Sequence, residues 1–167
     1  MDRQQKIMIA VLGAVLAAVL VALTVVVASR RPEIIVNDFE APPFEENALS
    51  GAPAEAADMP DYREITVEGS YTFALRGAPV LDGDRLLLYF TSHKDNDAWL
   101  LIRVYDMDGT QLGTSGLLRA GKYVEAVMLS APPAGETVRV KVLSYEPGTY
   151  YSKGAASATL PVTQPVS

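Results

Sequence analysis

The side chains able to do chemistry are few. One histidine, His93, lies in Thr91-Ser92-His93-Lys94-Asp95-Asn96-Asp97, with acids on either side. Acid pairs recur at Asp82/Asp84, Asp95/Asp97 and Asp106/Asp108, and the chain has no cysteine. Nucleophilic hydrolysis needs a nucleophile, a base and an orienting group in line, and no Gly-x-Ser-x-Gly elbow is present. His93 therefore reads as a solvated loop residue. The lack of cysteine removes disulfides, zinc–thiolate sites, iron–sulfur clusters and thiol catalysis. Closely spaced Asp and Asn in loops offer oxygen ligands of the kind calcium takes. Asp106-Met107-Asp108-Gly109, however, lacks the third ligand position and the closing Glu of an EF-hand loop. Asp-Gly is also ordinary turn chemistry. No catalysis, metal or cofactor is expected.

Aromatic side chains offer binding instead. Trp99, Tyr89, Tyr105, Tyr145, Tyr150 and Tyr151 have the bodies of a sugar- or peptide-binding platform, or equally of core and cross-strand residues. In residues 98–105, Ala98, Leu100, Ile102 and Val104 alternate with Trp99, Leu101, Arg103 and Tyr105. The second set is only half polar, which marks Trp99 and Tyr105 as candidates for partner docking.

These residues belong to a region with strand character. Short alternating runs, punctuated by Gly, Pro and Asp, predict strands over 63–67, 71–75, 85–91, 99–105, 110–115, 123–129, 138–145 and 157–162. Val138-Arg139-Val140-Lys141-Val142 is the clearest, with valines on one face and cations on the other. No stretch here has the length and 3.6-residue period of a stable helix. The expected fold is all-β, an immunoglobulin-like antiparallel β-sandwich of seven or eight strands over 63–167. The order Leu100-Leu101-Ile102-Arg103-Val104-Tyr105-Asp106-Met107-Asp108-Gly109, Ser115-Gly116-Leu117-Leu118, Ala120-Gly121, Glu125 and Ala134-Gly135-Glu136-Thr137-Val138 resembles small membrane-anchored, immunoglobulin-like proteins of conjugative and other mobile elements of Gram-positive bacteria. Many modules of this kind begin the last of these strands with Tyr, where this chain has Glu136-Thr137. The resemblance implies an accessory, surface-exposed role and supplies no site.

Upstream, residues 7–29 run IMIAVLGAVLAAVLVALTVVVAS without a charge. As a helix this segment extends roughly 34 Å, against a hydrocarbon core of about 30 Å. It exceeds the roughly 7–15-residue core of a cleaved signal peptide, so a retained transmembrane helix is expected after a tail of residues 1–6. Two basic residues precede it (Arg3, Lys6) and two follow (Arg30, Arg31). The short tail and long C-terminal region then favour a single-pass protein of the cell membrane with its domain outside. Ala10, Ala14, Ala18 and Ala22 recur every fourth residue, with Gly13 and Ala17 beside them. Such small-residue rows let helix backbones approach, a candidate face for self-association.

Residues 30–62 carry Pro32, Pro42, Pro43, Pro53 and Pro60, and between Pro32 and Tyr62 eight acids with no Lys or Arg. An extended acidic linker is expected. Its apolar patches, Ile34-Ile35-Val36 and Phe39 with Phe44, are candidates for docking on a partner, by strand addition among other ways. From Arg63 onward ten basic residues face eleven acidic ones, too even a balance for the clustered cations that nucleic-acid binding needs. The partners expected are the bilayer, through 7–29, and an unidentified protein. The function expected is a membrane-tethered, non-catalytic interaction module, an accessory part of a cell-surface or transfer assembly. The alternative is a cell-wall or glycan-binding module.

Overall fold

The computed structural model describes residues 40–165. The segment 7–29 with Ala10, Gly13, Ala14, Ala17, Ala18 and Ala22, and the linker residues Ile34, Ile35, Val36 and Phe39, lie outside the described residues. Among the described residues no helix is long and apolar enough to cross a membrane.

Among the described residues ten strands are formed: β1 Leu49–Ser50, β2 Tyr62–Val67, β3 Tyr71–Arg76, β4 Val80–Asp82, β5 Arg85–Ser92, β6 Trp99–Tyr105, β7 Gln111–Thr114, β8 Lys122–Met128, β9 Thr137–Tyr145 and β10 Ser152–Pro161. A short 3-10 helix, Ala54–Asp58, precedes β2. One sheet has six strands, in the order β1–β8–β5–β3–β2 with β4 also on β5, and the other is β10–β9–β6–β7. All these ladders are antiparallel. The fold is therefore all-β, with two antiparallel sheets.

Alternation builds the core. In β9, Val138, Val140 and Val142 are buried while Arg139 and Lys141 point the other way. In β6, Leu100, Ile102 and Val104 are fully buried. These side chains share one cluster with Phe73, Leu86, Leu88, Phe90, Val124 and Val127 of the larger sheet. Removing a side chain of this size from water contributes about 1.5–3 kcal/mol.

Strand β5 departs from regular pairing with β8. Its register shifts between Leu87 and Phe90, and Tyr89 takes a φ of 50°, an extra residue that bends the strand locally. Beyond the shift β5 also changes neighbours. Arg85–Leu87 pair with β4, and Thr91 and Ser92 pair with β3. The corner joining β3 to β4 is held by Asp61. Its carbonyl accepts the Gly77 N–H (2.8 Å), and its carboxylate accepts the Ala78 N–H (2.8 Å) and Arg76 Nε (3.1 Å).

Two expectations need correction. The compact unit begins at Glu40 rather than Arg63, so residues 40–62 of the predicted linker are part of the folded body. Leu49–Ser50 pair with β8, and Phe44 forms a parallel bridge to Leu117. The prolines break this segment into pieces too short to show a period, and each piece is held by tertiary partners instead. The strands among the described residues also number ten. Two-residue β1 and three-residue β4 are shorter than any alternation test can detect, and β10 starts five residues earlier than its predicted start at Ser157.

Candidate docking surface

The outer face of the smaller sheet is set by register. Arg103 of β6 lies directly opposite Lys141 of β9, and Tyr105 opposite Arg139. Outward neighbours continue the rows: Thr114 of β7 beside Arg103, and Ser157 and Thr159 of β10 beside Lys141 and Arg139. No acid occupies an outward position in these rows. Among the described residues, neither Arg103, Arg139 nor Lys141 joins an ion pair. Like charges directly opposite one another in a ladder are unfavourable. The wider body has the opposite sign, with seventeen acidic and ten basic side chains over residues 40–165.

The same face turns apolar at the other end of β6. Leu101 opposes Leu143, and Trp99 opposes Tyr145. Phe44 packs edge-on against Trp99 with ring centroids 4.8 Å apart, and Tyr150 does so from 5.3 Å. The Arg119 guanidinium sits 4.3 Å above the Phe44 ring. Leu101 and Leu117 are buried but lie outside the main core cluster. Phe44 and Trp99, expected to meet a partner, thus meet each other.

Backbone hydrogen bonds fasten Phe44 there: Leu117 N–H donates to the Pro43 carbonyl (2.8 Å) and Glu45 N–H to the Leu117 carbonyl (3.0 Å). The Glu45 carboxylate accepts the Gly116 N–H at 2.7 Å. Gly116 is required by this close approach, since a Cβ on it would stand 2.5 Å from the Glu45 nitrogen. Sequence reasoning assigned Glu45, Leu117 and Gly116 no part in a site. The one available signal was Gly116 itself, a glycine outside any Asp-Gly or Pro-Gly turn.

The larger sheet carries a hollow of about 510 Å³ on its outer side, lined by Tyr62, Glu64, Ala74, Thr91, His93 and Gly121 among others. Tyr62 donates to the Thr91 hydroxyl at 2.6 Å, and burial pushes its phenol up from the ordinary tyrosine range. His93 Nδ1 accepts the Asp95 N–H at 3.3 Å, so in the neutral ring Nε2 carries the hydrogen, 3.8 Å from Glu64. Asp95 Oδ2 is 3.6 Å from the same Nδ1. That spacing reflects the turn rather than a charge pair while Nδ1 accepts. No hydroxyl is hydrogen-bonded to the His93 ring among the described residues.

The Asp106/Asp108 pair serves turns. Asp106 accepts the Met107 and Ala134 N–H groups at 2.7 and 3.0 Å, and Asp108 accepts the Thr110 N–H at 2.8 Å. This backbone contact holds the Asp108 carboxyl below its ordinary range. Asp97 pairs with Lys153 at 2.7 Å. Asn96 does the least expected work. Its side-chain amide accepts the Thr72 N–H (2.8 Å) and donates to the Thr72 carbonyl (2.7 Å), as a neighbouring strand would. The His93 loop is thereby stitched to β3. Among the described residues no three His, Asp or Glu side chains converge as a metal cage.

The described residues form an all-β body; the outer face of the smaller sheet is cationic at one end and apolar at the other, and that of the larger sheet is hollowed. Compared with known proteins, the chain matches no protein-family model, no curated protein and no solved structure.

Proposed function

We propose that this protein is a membrane-tethered, non-catalytic interaction module, its domain outside the cell, working as an accessory part of a cell-surface or transfer assembly. The contact surface is the outer face of the smaller sheet. One observation carries the reading: in a body with an excess of acids, that face gathers Arg103, Arg139 and Lys141 with no acid among them. The uncharged segment 7–29 supports the tether. Strand order supports an immunoglobulin-like arrangement. β3–β5–β8 facing β10–β9–β6–β7 follows the A-B-E and G-F-C-C′ orders of such sandwiches, with β1 in the place of D. β2, flanking β3, is an addition to that plan. The wall- or glycan-binding alternative has one feature in its favour, Tyr151, which stands 73% exposed.

Because the chain has no cysteine, single introduced thiols test the reading. Ser157→Cys reports on the smaller sheet's face, and Met128→Cys, 56% exposed on β8, serves as the reference. In intact cells a membrane-impermeant maleimide should label Met128→Cys well and Ser157→Cys several-fold less, with the protein in the membrane fraction. Equal labelling would remove the contact surface. Labelling of either only after permeabilisation would overturn the outside orientation, and recovery in the soluble fraction would overturn the tether.

A further inference from the structure

We infer that the cationic face of the smaller sheet docks on an anionic lipid headgroup surface and sets the orientation of the domain against the bilayer. The inference rests on the tether reading above and adds the chemistry of what the face meets. Its first support is charge. Arg103 and Lys141 face each other across the β6–β9 ladder, with Arg139 beside Tyr105 in the neighbouring row. None has an anionic partner among the described residues, so the protein leaves an unfavourable cation pair uncompensated on its surface. Phosphate oxygens would relieve it, with the Thr114, Ser157 and Thr159 hydroxyls alongside as donors.

The second support is the length of chain outside the folded body. The predicted linker of residues 30–62 would hold the domain off at a distance set by its 33 residues. The compact unit instead begins at Glu40. Ten residues, 30–39, then separate it from the uncharged segment, a reach of at most about 35 Å. Phe44, four residues beyond Glu40, rests on Trp99, which shares the outward side of β6 with Arg103 and Tyr105. Such a short connection keeps the face at high effective concentration over the headgroups, where a few weak charge contacts suffice. A soluble acidic partner, which no tether holds beside the face, has no such advantage.

The third support is the sign of everything else. Apart from the three face cations, seventeen acids against seven bases repel the remaining surface from an anionic bilayer. The one face that is attracted therefore also selects the orientation, within the Debye length of about 8 Å at physiological salt.

Trp99 is the chain's one tryptophan, and it lies on this face. The full chain, reconstituted into phosphatidylcholine vesicles containing headgroup-level nitroxide lipid, should show Trp99 quenching that rises about twofold or more when about one-third of the lipid is phosphatidylglycerol. The rise should vanish in high salt and in the Arg103→Gln/Arg139→Gln/Lys141→Gln variant. That variant should melt no lower than the parent, because it removes a like-charge pair. Equal quenching in neutral and anionic vesicles would overturn the inference, as would an undiminished rise in the triple variant. Suppression of the rise by a soluble acidic peptide at low concentration would transfer the face to a protein partner and overturn it too. Failure of the chain to float with neutral vesicles would instead sink the tether reading. Flotation with anionic vesicles alone, abolished by the triple variant, would leave the face's lipid docking standing.

Discussion

The two sheets of this protein treat their outer faces in opposite ways. The larger sheet has chain laid against it: β1 adds to β8, the segment through Gly51 and Ala52 borders the hollow, and the Asn96 amide continues β3. Its polar groups are paired where they are buried, as in the Tyr62–Thr91 hydroxyl contact. On the smaller sheet, chain covers only the apolar end, where Phe44 meets Trp99. The cationic end is left with like charges opposed. A protein that satisfies polar groups so fully elsewhere, with no buried side-chain polar atom lacking a partner among the described residues, keeps this strain where another surface can relieve it.

That contrast can be broken, most forcefully at Gly116. Gly116→Ala places a methyl group against the Glu45 backbone and should cost up to about 3 kcal/mol by overpacking, read as a lower denaturation midpoint. Phe44 should lift away with it, so Trp99 emission should shift to the red. Unchanged emission would show that the segment 43–45 is not what covers Trp99. Phe44→Ala should give the same red shift for about 2 kcal/mol, the aromatic and cation contacts together.

Asp61→Ala should cost about 2 kcal/mol, because it leaves the Ala78 N–H and Arg76 without their acceptor. Burial alone would raise the Asp61 carboxyl. The Ala78 N–H, the Arg76 hydrogen bond and the Arg76 charge outweigh it and hold the group below its ordinary value of 3.8. A carboxyl depressed in the folded state adds stability that is present above its unfolded pKa and is lost as pH falls through the depressed one. Below about pH 4, melts of the parent should therefore approach those of Asp61→Asn. A constant gap between them down to acid pH would show that Asp61 is not ionised in the fold. The smallest effect sharpens the comparison directly. Arg103→Thr should stabilise by about 0.5 kcal/mol, a rare gain from deleting a charge, because the cation opposite is relieved. A loss instead would mean that Arg103 is compensated within the chain.

Much of the fold was legible in residue order. The alternations at 99–105 and 138–145 locate β6 and β9, and the resulting faces already separate valines from cations. What alternation missed is short or interrupted. β1 and β4 have two and three residues, and Asp61 looked like one more acid in a linker. The candidate site was half legible. Trp99 and Tyr105 were placed on one outward face, as they are. The pairing of Arg103 with Lys141 needs the register between two strands 38 positions apart, which no local pattern encodes.

The division has a physical basis. Side-chain period and turn chemistry act within a few residues, so composition and order alone determined that this chain makes strands, where most of them run and which sides are apolar. Contacts between distant segments depend on which surfaces remain unsatisfied once the strands exist. Only the assembled body could decide that Phe44 belongs to Trp99, that Asp61 closes a corner, and that three cations share one bare face.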